Sequence, residues 1–134
     1  MYDTIVVGIT NRSTALAASE HALGLARTTG ATVHLVYAID SGDGREADDA
    51  RRHADGLLEA LALSHSQAIE VHVVADRPDV AIIEVAQRIG ADLIVIGNQG
   101  IAKRGRLAAA PPARVVGAAP CSVLVVDTSA ARVA

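Results

Sequence analysis

Asp92-Leu93-Ile94-Val95-Ile96-Gly97 is an unbroken apolar run closed by an acid on one side and a glycine on the other. A strand with one wet face alternates polar and apolar residues; a run without alternation marks a strand buried on both faces, as in a parallel sheet covered by helices. This segment is therefore placed at the centre of such a sheet. Upstream of it, Pro78 suits the first turn of a helix, where a missing N–H costs nothing, and Ile82, Ile83, Val85, Ala86 and Ile89 lead to a cap at Gly90. Before that helix, Ile69 to Ala75 reads as a strand in which Glu70 and His72 alternate with apolar neighbours, the pattern of an edge strand.

The same alternation of periods extends to both ends. Thr4-Ile5-Val6-Val7-Gly8-Ile9 is a short β-branched strand that stops at the turn-former Asn11. From Ser13 to Thr29 the residues Leu16, Ala18, Ala22, Leu23, Leu25 and Ala26 recur at helical steps, and Gly30 supplies the cap. A second strand spans Thr32 to Ile39, followed by the turn-forming segment Asp40-Ser41-Gly42-Asp43-Gly44. A helix from about Glu46 to Leu63 follows, with Ala50, Ala54, Leu57, Leu58 and Leu61 on one face and Asp48 paired with Arg52. Past the central run come a glycine-containing loop, a short helix near Ala113 to Ala118, and a last strand, Ser122 to Val126. Strands separated by helices predict an α/β domain, an open five-stranded, mostly parallel sheet with helices on both faces. Residues 1–128 form that domain, and residues 129–134 a tail expected to fray.

Composition narrows the function. The chain of 134 residues is 51% hydrophobic but only 1% aromatic, so its core is packed from Val, Ile, Leu and Ala, and base-stacking platforms are scarce. A net charge of −3, with neither sign in a long block, argues against a nucleic-acid or membrane surface. No apolar run approaches the roughly 20 residues that span a bilayer, and Met1-Tyr2-Asp3-Thr4 lacks a basic signal region, so the expected location is cytoplasmic. Cys121 has no second cysteine to join and reads as a buried packing residue. His21, His34, His53, His65 and His72 lack the spacing of a metal site and read as isolated residues, so no metal is expected.

Open parallel sheets bind ligands beyond the strands' carboxyl ends, where strand order reverses. With the first and fourth strands flanking that point, the site is lined by Ile9-Thr10-Asn11 and by Ile96-Gly97-Asn98-Gln99-Gly100. For Thr10 and Asn11 a helix-capping role competes with ligand contact. Lys103, Arg104 and Arg106 follow in the same loop, as a solvated surface or a source of charge for a phosphate. The chain lacks Gly-x-x-x-x-Gly-Lys-Ser/Thr, Gly-x-Gly-x-x-Gly and Gly-x-Ser-x-Gly, and pairs no nucleophile with a base, so catalysis is not expected.

Ala91-Asp92-Leu93-Ile94-Val95-Ile96-Gly97-Asn98-Gln99-Gly100 followed by Ala119-Pro120-Cys121-Ser122-Val123-Leu124-Val125-Val126 resembles the universal stress protein family, as do the opening Thr4–Ile9 run and Pro78 ahead of Ile82-Ile83-Glu84-Val85-Ala86. The resemblance covers nearly the whole chain. It implies strand order 3-2-1-4-5 in an adenine nucleotide alpha hydrolase-like fold, a homodimer joined along the last strand (Val123, Leu124, Val125, Val126), and in one subgroup bound ATP. That subgroup carries Gly, two residues, Gly, nine residues, then Gly with Ser or Thr. Gly97 and Gly100 match the first half; Ala109-Ala110 or Ala110-Pro111 stands in the place of the second. Thr10 replaces an acid common in ATP-binding members. The resemblance thus implies a stress-response dimer with impaired ATP binding, independent of ligand or binding a protein partner. The alternative is a sensor of an adenine nucleotide (AMP, cyclic AMP or ATP), with adenine near Ala38 and ribose near Gly97; a weak nucleotide hydrolase is the third.

Overall fold

The structure, a computed structural model, describes residues 2–40, 44–98 and 111–127. Five strands, β1 (Thr4–Ile9), β2 (Thr32–Ile39), β3 (Ile69–Ala75), β4 (Leu93–Gly97) and β5 (Ser122–Val126), form one sheet of order β3-β2-β1-β4-β5. Every neighbouring pair is parallel. Helices α1 (Ala15–Thr29), α2 (Gly44–Ala62), α3 (Pro78–Ile89) and α4 (Pro111–Ala118) make the crossovers. The central strand is β1; β4 lies beside it, buried from Leu93 to Ile96.

Strand alternation splits the core into two layers. Ile5, Val7, Val33, Leu35, Tyr37 and Val95 face α1 and α2, which contribute Ala18, Ala22, Leu23, Ala54 and Leu61. Val6, Val36, Ile94 and Ile96 face the other way, onto Ala81, Ile82, Val85 and Ala86 of α3 and Val115 of α4. Gly8 belongs to this second layer, and a Cβ built there would stand 2.3 Å from Ile82 Cδ1, so α3 lies on β1 as closely as it does because position 8 has no side chain.

Local chemistry fixes the element ends. Gly30 and Gly90 adopt left-handed φ values of 77° and 69° as C-caps of α1 and α3, and each cap N–H donates to a carbonyl of the last turn. Pro78 opens α3 as expected. The first helix departs from its expected start: Arg12–Thr14 is a 3-10 turn capped by Asn11, and the α-helix begins at Ala15. Helix α2 runs from Gly44 to Ala62 rather than from Glu46 to Leu63, and its Arg52 pairs with Asp49, not Asp48. Strand β4 begins at Leu93, one residue after Asp92, whose N–H donates to the Thr4 carbonyl at 3.0 Å and whose carboxylate accepts from the N–H groups of Asp3 (2.8 Å) and Thr4 (3.2 Å) at the start of β1. The short last helix reaches back to Pro111. Cys121 is half-buried rather than buried, packed at the margin of the α3 layer, with its thiol pKa raised by desolvation and by Asp92. Among the described residues no helix is long and apolar enough to cross a membrane.

Candidate functional site

Strand order reverses between β2 and β4, on either side of β1. Ile9 pairs with Tyr37 at the end of the β1–β2 ladder, and Gly8 pairs with Ile96 at the end of the β1–β4 ladder. The carboxyl ends of three neighbouring strands therefore bring Ile9 and Thr10, Ala38, and Ile96, Gly97 and Asn98 to one edge of the sheet. Ile9 and Ile96 are buried, whereas Thr10, Ala38, Gly97 and Asn98 are half-buried. Asn98 N–H donates to the Val126 carbonyl at 3.0 Å, which carries the β4–β5 ladder one residue past the end of β4. Gly100, Ala109 and Ala110, with Lys103, Arg104 and Arg106, lie outside the described residues.

The loop after β1 is closed on itself. Asn11 Oδ1 accepts from the Ser13 N–H at 3.0 Å and the Ser13 hydroxyl at 2.7 Å, and the Asn11 carbonyl accepts from the Thr14 N–H at 3.2 Å. The capping reading of Asn11 is thus what the structure forms.

Helix α4 leads to the start of β5, and Arg114 in its first turn reaches Asp79 at the start of α3. A helix start presents about four N–H groups without intrahelical partners, and proline has none to present. Pro111 and Pro112 therefore remove two of those donors at the place where a helix would hold an anion.

Several charged residues that sequence patterning leaves unremarked converge nearby. Asp79, in the first turn of α3, is only 8% exposed. Its Oδ2 lies 3.5 Å from Arg77 Nη2, and its Oδ1, without a hydrogen bond, lies 3.9 Å from Arg114 Nη1 on α4. The carboxylate thus links the first turns of both helices on this face. On the opposite face, the Tyr37 hydroxyl from β2 is 2.7 Å from His53 Nδ1 of α2.

The histidines are not all isolated. His34 Nδ1 lies 2.9 Å from His72 Nε2 across β2 and β3, with Glu70 Oε2 3.6 Å from His34 and Arg88 Nη2 3.4 Å from His72 Nδ1. Burial lowers both imidazole pKa values, and the Arg88 charge lowers that of His72 further, against an opposing pull from Glu70. This cluster lies between the strands' amino-terminal halves and the last turn of α3, away from the switch point. Among the described residues no group of three or more His, Cys, Asp or Glu is placed to hold a metal ion.

Known proteins match this architecture over the whole sheet. A universal stress protein solved in complex with cAMP is 29% identical, with a TM-score of 0.79 over 96% of this chain and 99% of that one. A universal stress protein from Lactobacillus plantarum is 24% identical, with a TM-score of 0.78 over 93% and 97% of the two chains. A member of the family from Burkholderia pseudomallei is 25% identical, with a TM-score of 0.67 over 93% and 96%. The model of the universal stress protein family matches residues 1–127, and the chain belongs to that family.

Proposed function

We propose that this protein is a non-catalytic stress-response domain that acts as a homodimer, and whose crevice at the switch point takes an adenine mononucleotide, cyclic or open, in preference to ATP. The carrying observation is the meeting of three strand ends at the switch point beside a last helix that opens on two prolines. Ile9, Thr10, Ala38, Ile96, Gly97 and Asn98 supply an apolar floor and a close-approaching backbone for a base and ribose. Pro111 and Pro112 remove two backbone donors, and Ala109-Ala110 or Ala110-Pro111, where a Gly-Ser pair would stand, brings no hydroxyl, so donors that a triphosphate chain needs are missing. The similar protein solved with cAMP supports a ligand with one phosphate.

No nucleophile–base pair of the kind that splits phosphate esters is assembled from the described residues at this edge. The buried carboxylate at the start of α3, Asp79, is shared between two guanidinium groups. The test is native mass spectrometry of gently purified protein, then thermal shift with ATP, ADP, AMP and cyclic AMP. A ligand that binds the native state stabilises it by about 2.7 kcal/mol at a hundred times its Kd, so the melting temperature rises with ligand concentration. The expected order places AMP and cyclic AMP above ATP. An equal or larger shift with ATP would remove the phosphate-end argument. A dimer that ignores all four ligands would replace the reading with a ligand-independent, partner-binding dimer.

A further inference from the structure

We propose that Arg114 supplies the phosphate contact of the mononucleotide crevice, standing in for the backbone donors that Pro111 and Pro112 delete, and that Asp79 is its positioning residue. The inference rests on the reading of the crevice as a mononucleotide site and names the side chain that meets the phosphate. Strand β3 ends at Ala75 and α3 opens at Pro78. In an all-parallel sheet, Asp79 in the first turn of α3 therefore stands at the strands' carboxyl edge, the edge that carries the crevice. Arg114 Nη1 lies 3.9 Å from Asp79 Oδ1, which brings the first turn of α4 to that edge as well.

The surroundings of Arg114 suit a side chain that reaches outward. Val115, the next residue, is fully buried against the α3 layer and fixes the backbone from which Arg114 projects. The Arg114 side chain is 44% exposed, whereas the carboxylate it faces is buried. At 3.9 Å the two groups attract by charge but share no hydrogen bond, and among the described residues no other acceptor engages the guanidinium. Turning toward a phosphate therefore breaks no hydrogen bond.

A buried carboxylate left without a counter-charge would oppose that turn. Here Arg77 Nη2 lies 3.5 Å from Asp79 Oδ2 and keeps the carboxylate compensated while Arg114 is engaged elsewhere. A guanidinium fork meets two oxygens of one phosphate, which suits a monophosphate. A triphosphate chain needs a run of donors, and the two prolines interrupt it.

Calorimetric titration of the full chain with AMP and adenosine tests this. AMP should bind at least about tenfold more tightly than adenosine, the share of affinity owed to a charge-assisted contact. In Arg114→Gln the two affinities should come within about twofold of each other. Arg114→Lys, which keeps the charge without the fork, should restore part of the difference. Asp79→Asn keeps the shape but releases the guanidinium from its orientation, so the preference for AMP should fall severalfold. Equal affinities in the unsubstituted protein would overturn the assignment, as would a preference for AMP that survives in Arg114→Gln or an equal weakening of both ligands there. An unchanged or larger preference in Asp79→Asn would overturn the positioning role. If the unsubstituted protein binds neither ligand, the mononucleotide reading falls, and the Arg114 side-chain resonance on addition of inorganic phosphate decides the contact separately. A shift that chloride of equal ionic strength does not produce keeps Arg114 as a phosphate contact, and no shift removes it.

Discussion

Gly8 shows how one missing side chain sets the distance between a helix and the sheet. A Cβ there would meet Ile82 Cδ1 at 2.3 Å and Cγ1 at 2.9 Å, and Ile82 is itself buried, so it has little room to turn aside. Gly8→Ala should therefore cost about 1–3 kcal/mol in urea unfolding, the usual range for an overpacked core. Adding Ile82→Val removes the atom nearest the new methyl and should return part of that loss, a coupling between neighbours that a double-mutant cycle reads directly. A neutral Gly8→Ala would mean that α3 does not sit on β1 this tightly. The need for glycine here was not legible in Thr4-Ile5-Val6-Val7-Gly8-Ile9, because nothing in a strand's own sequence says which helix residue lands opposite it. Gly30 and Gly90 were legible as caps, since a cap is decided by its own neighbours in the chain.

At the scale of elements, β3 is an edge strand joined to the molecule by more than its ladder. Arg88 on α3 can only donate, so its approach to His72 Nδ1 leaves Nε2 of that ring to carry the proton donated to His34 Nδ1. The chain Arg88–His72–His34 thus ties α3, β3 and β2 together while both imidazoles are neutral. Protonating His34 at Nδ1 would set two N–H groups against each other.

The folded pKa values of His34 and His72 lie below the ordinary 6.5, so the unfolded chain binds protons first as pH falls. Their contribution to stability is present above 6.5 and is lost as pH drops through the lower folded values. His53, also lowered by burial, adds to the same slope. The melting temperature should be level above about pH 7 and fall between about 6.5 and 5, before most carboxylates titrate. His72→Gln should make that fall shallower; an unchanged slope would show that the pair does not carry it. Reading the histidines one at a time could not find this. His34 and His72 are 38 positions apart and meet only once β2 and β3 adopt the register that sets His34 opposite Glu70. The strands themselves were legible, β1, β2, β3 and β5 to the residue, because their apolar runs are bounded by turn formers. The start of β4 fell one residue late, at Leu93, although Asp92 also bonds the start of β1 through its N–H and its carboxylate.

At the scale of the whole molecule, the sheet has two edges that differ in kind. On β3, Glu70 and His72 bring polar groups to one edge, the usual guard against unwanted pairing. On β5, Leu124 and Val125 are 36% and 38% exposed, and Val116 of α4 adds a neighbour that is 55% exposed. An apolar edge of this kind suits a second copy of the same chain, and a two-fold axis would lay the two β5 strands antiparallel. The geometry also says which residue to change. The Val126 carbonyl accepts from Asn98 N–H, so the peptide groups of Val126 face β4, and alternation turns those of Val125 outward. Proline at position 125 removes an outward donor while leaving the bonds to β4 in place, and an edge strand tolerates it. Val125→Pro should therefore convert a dimer into a folded monomer at micromolar concentration by sedimentation, with the circular dichroism of the sheet retained. Leu124→Lys should weaken the dimer through its side chain instead, by placing like charges near the axis. If the unsubstituted protein sediments as a monomer, the edge is not a self-association surface. If Val125→Pro stays dimeric, the copies meet elsewhere, and the exposed apolar edge of β5 calls for a different partner.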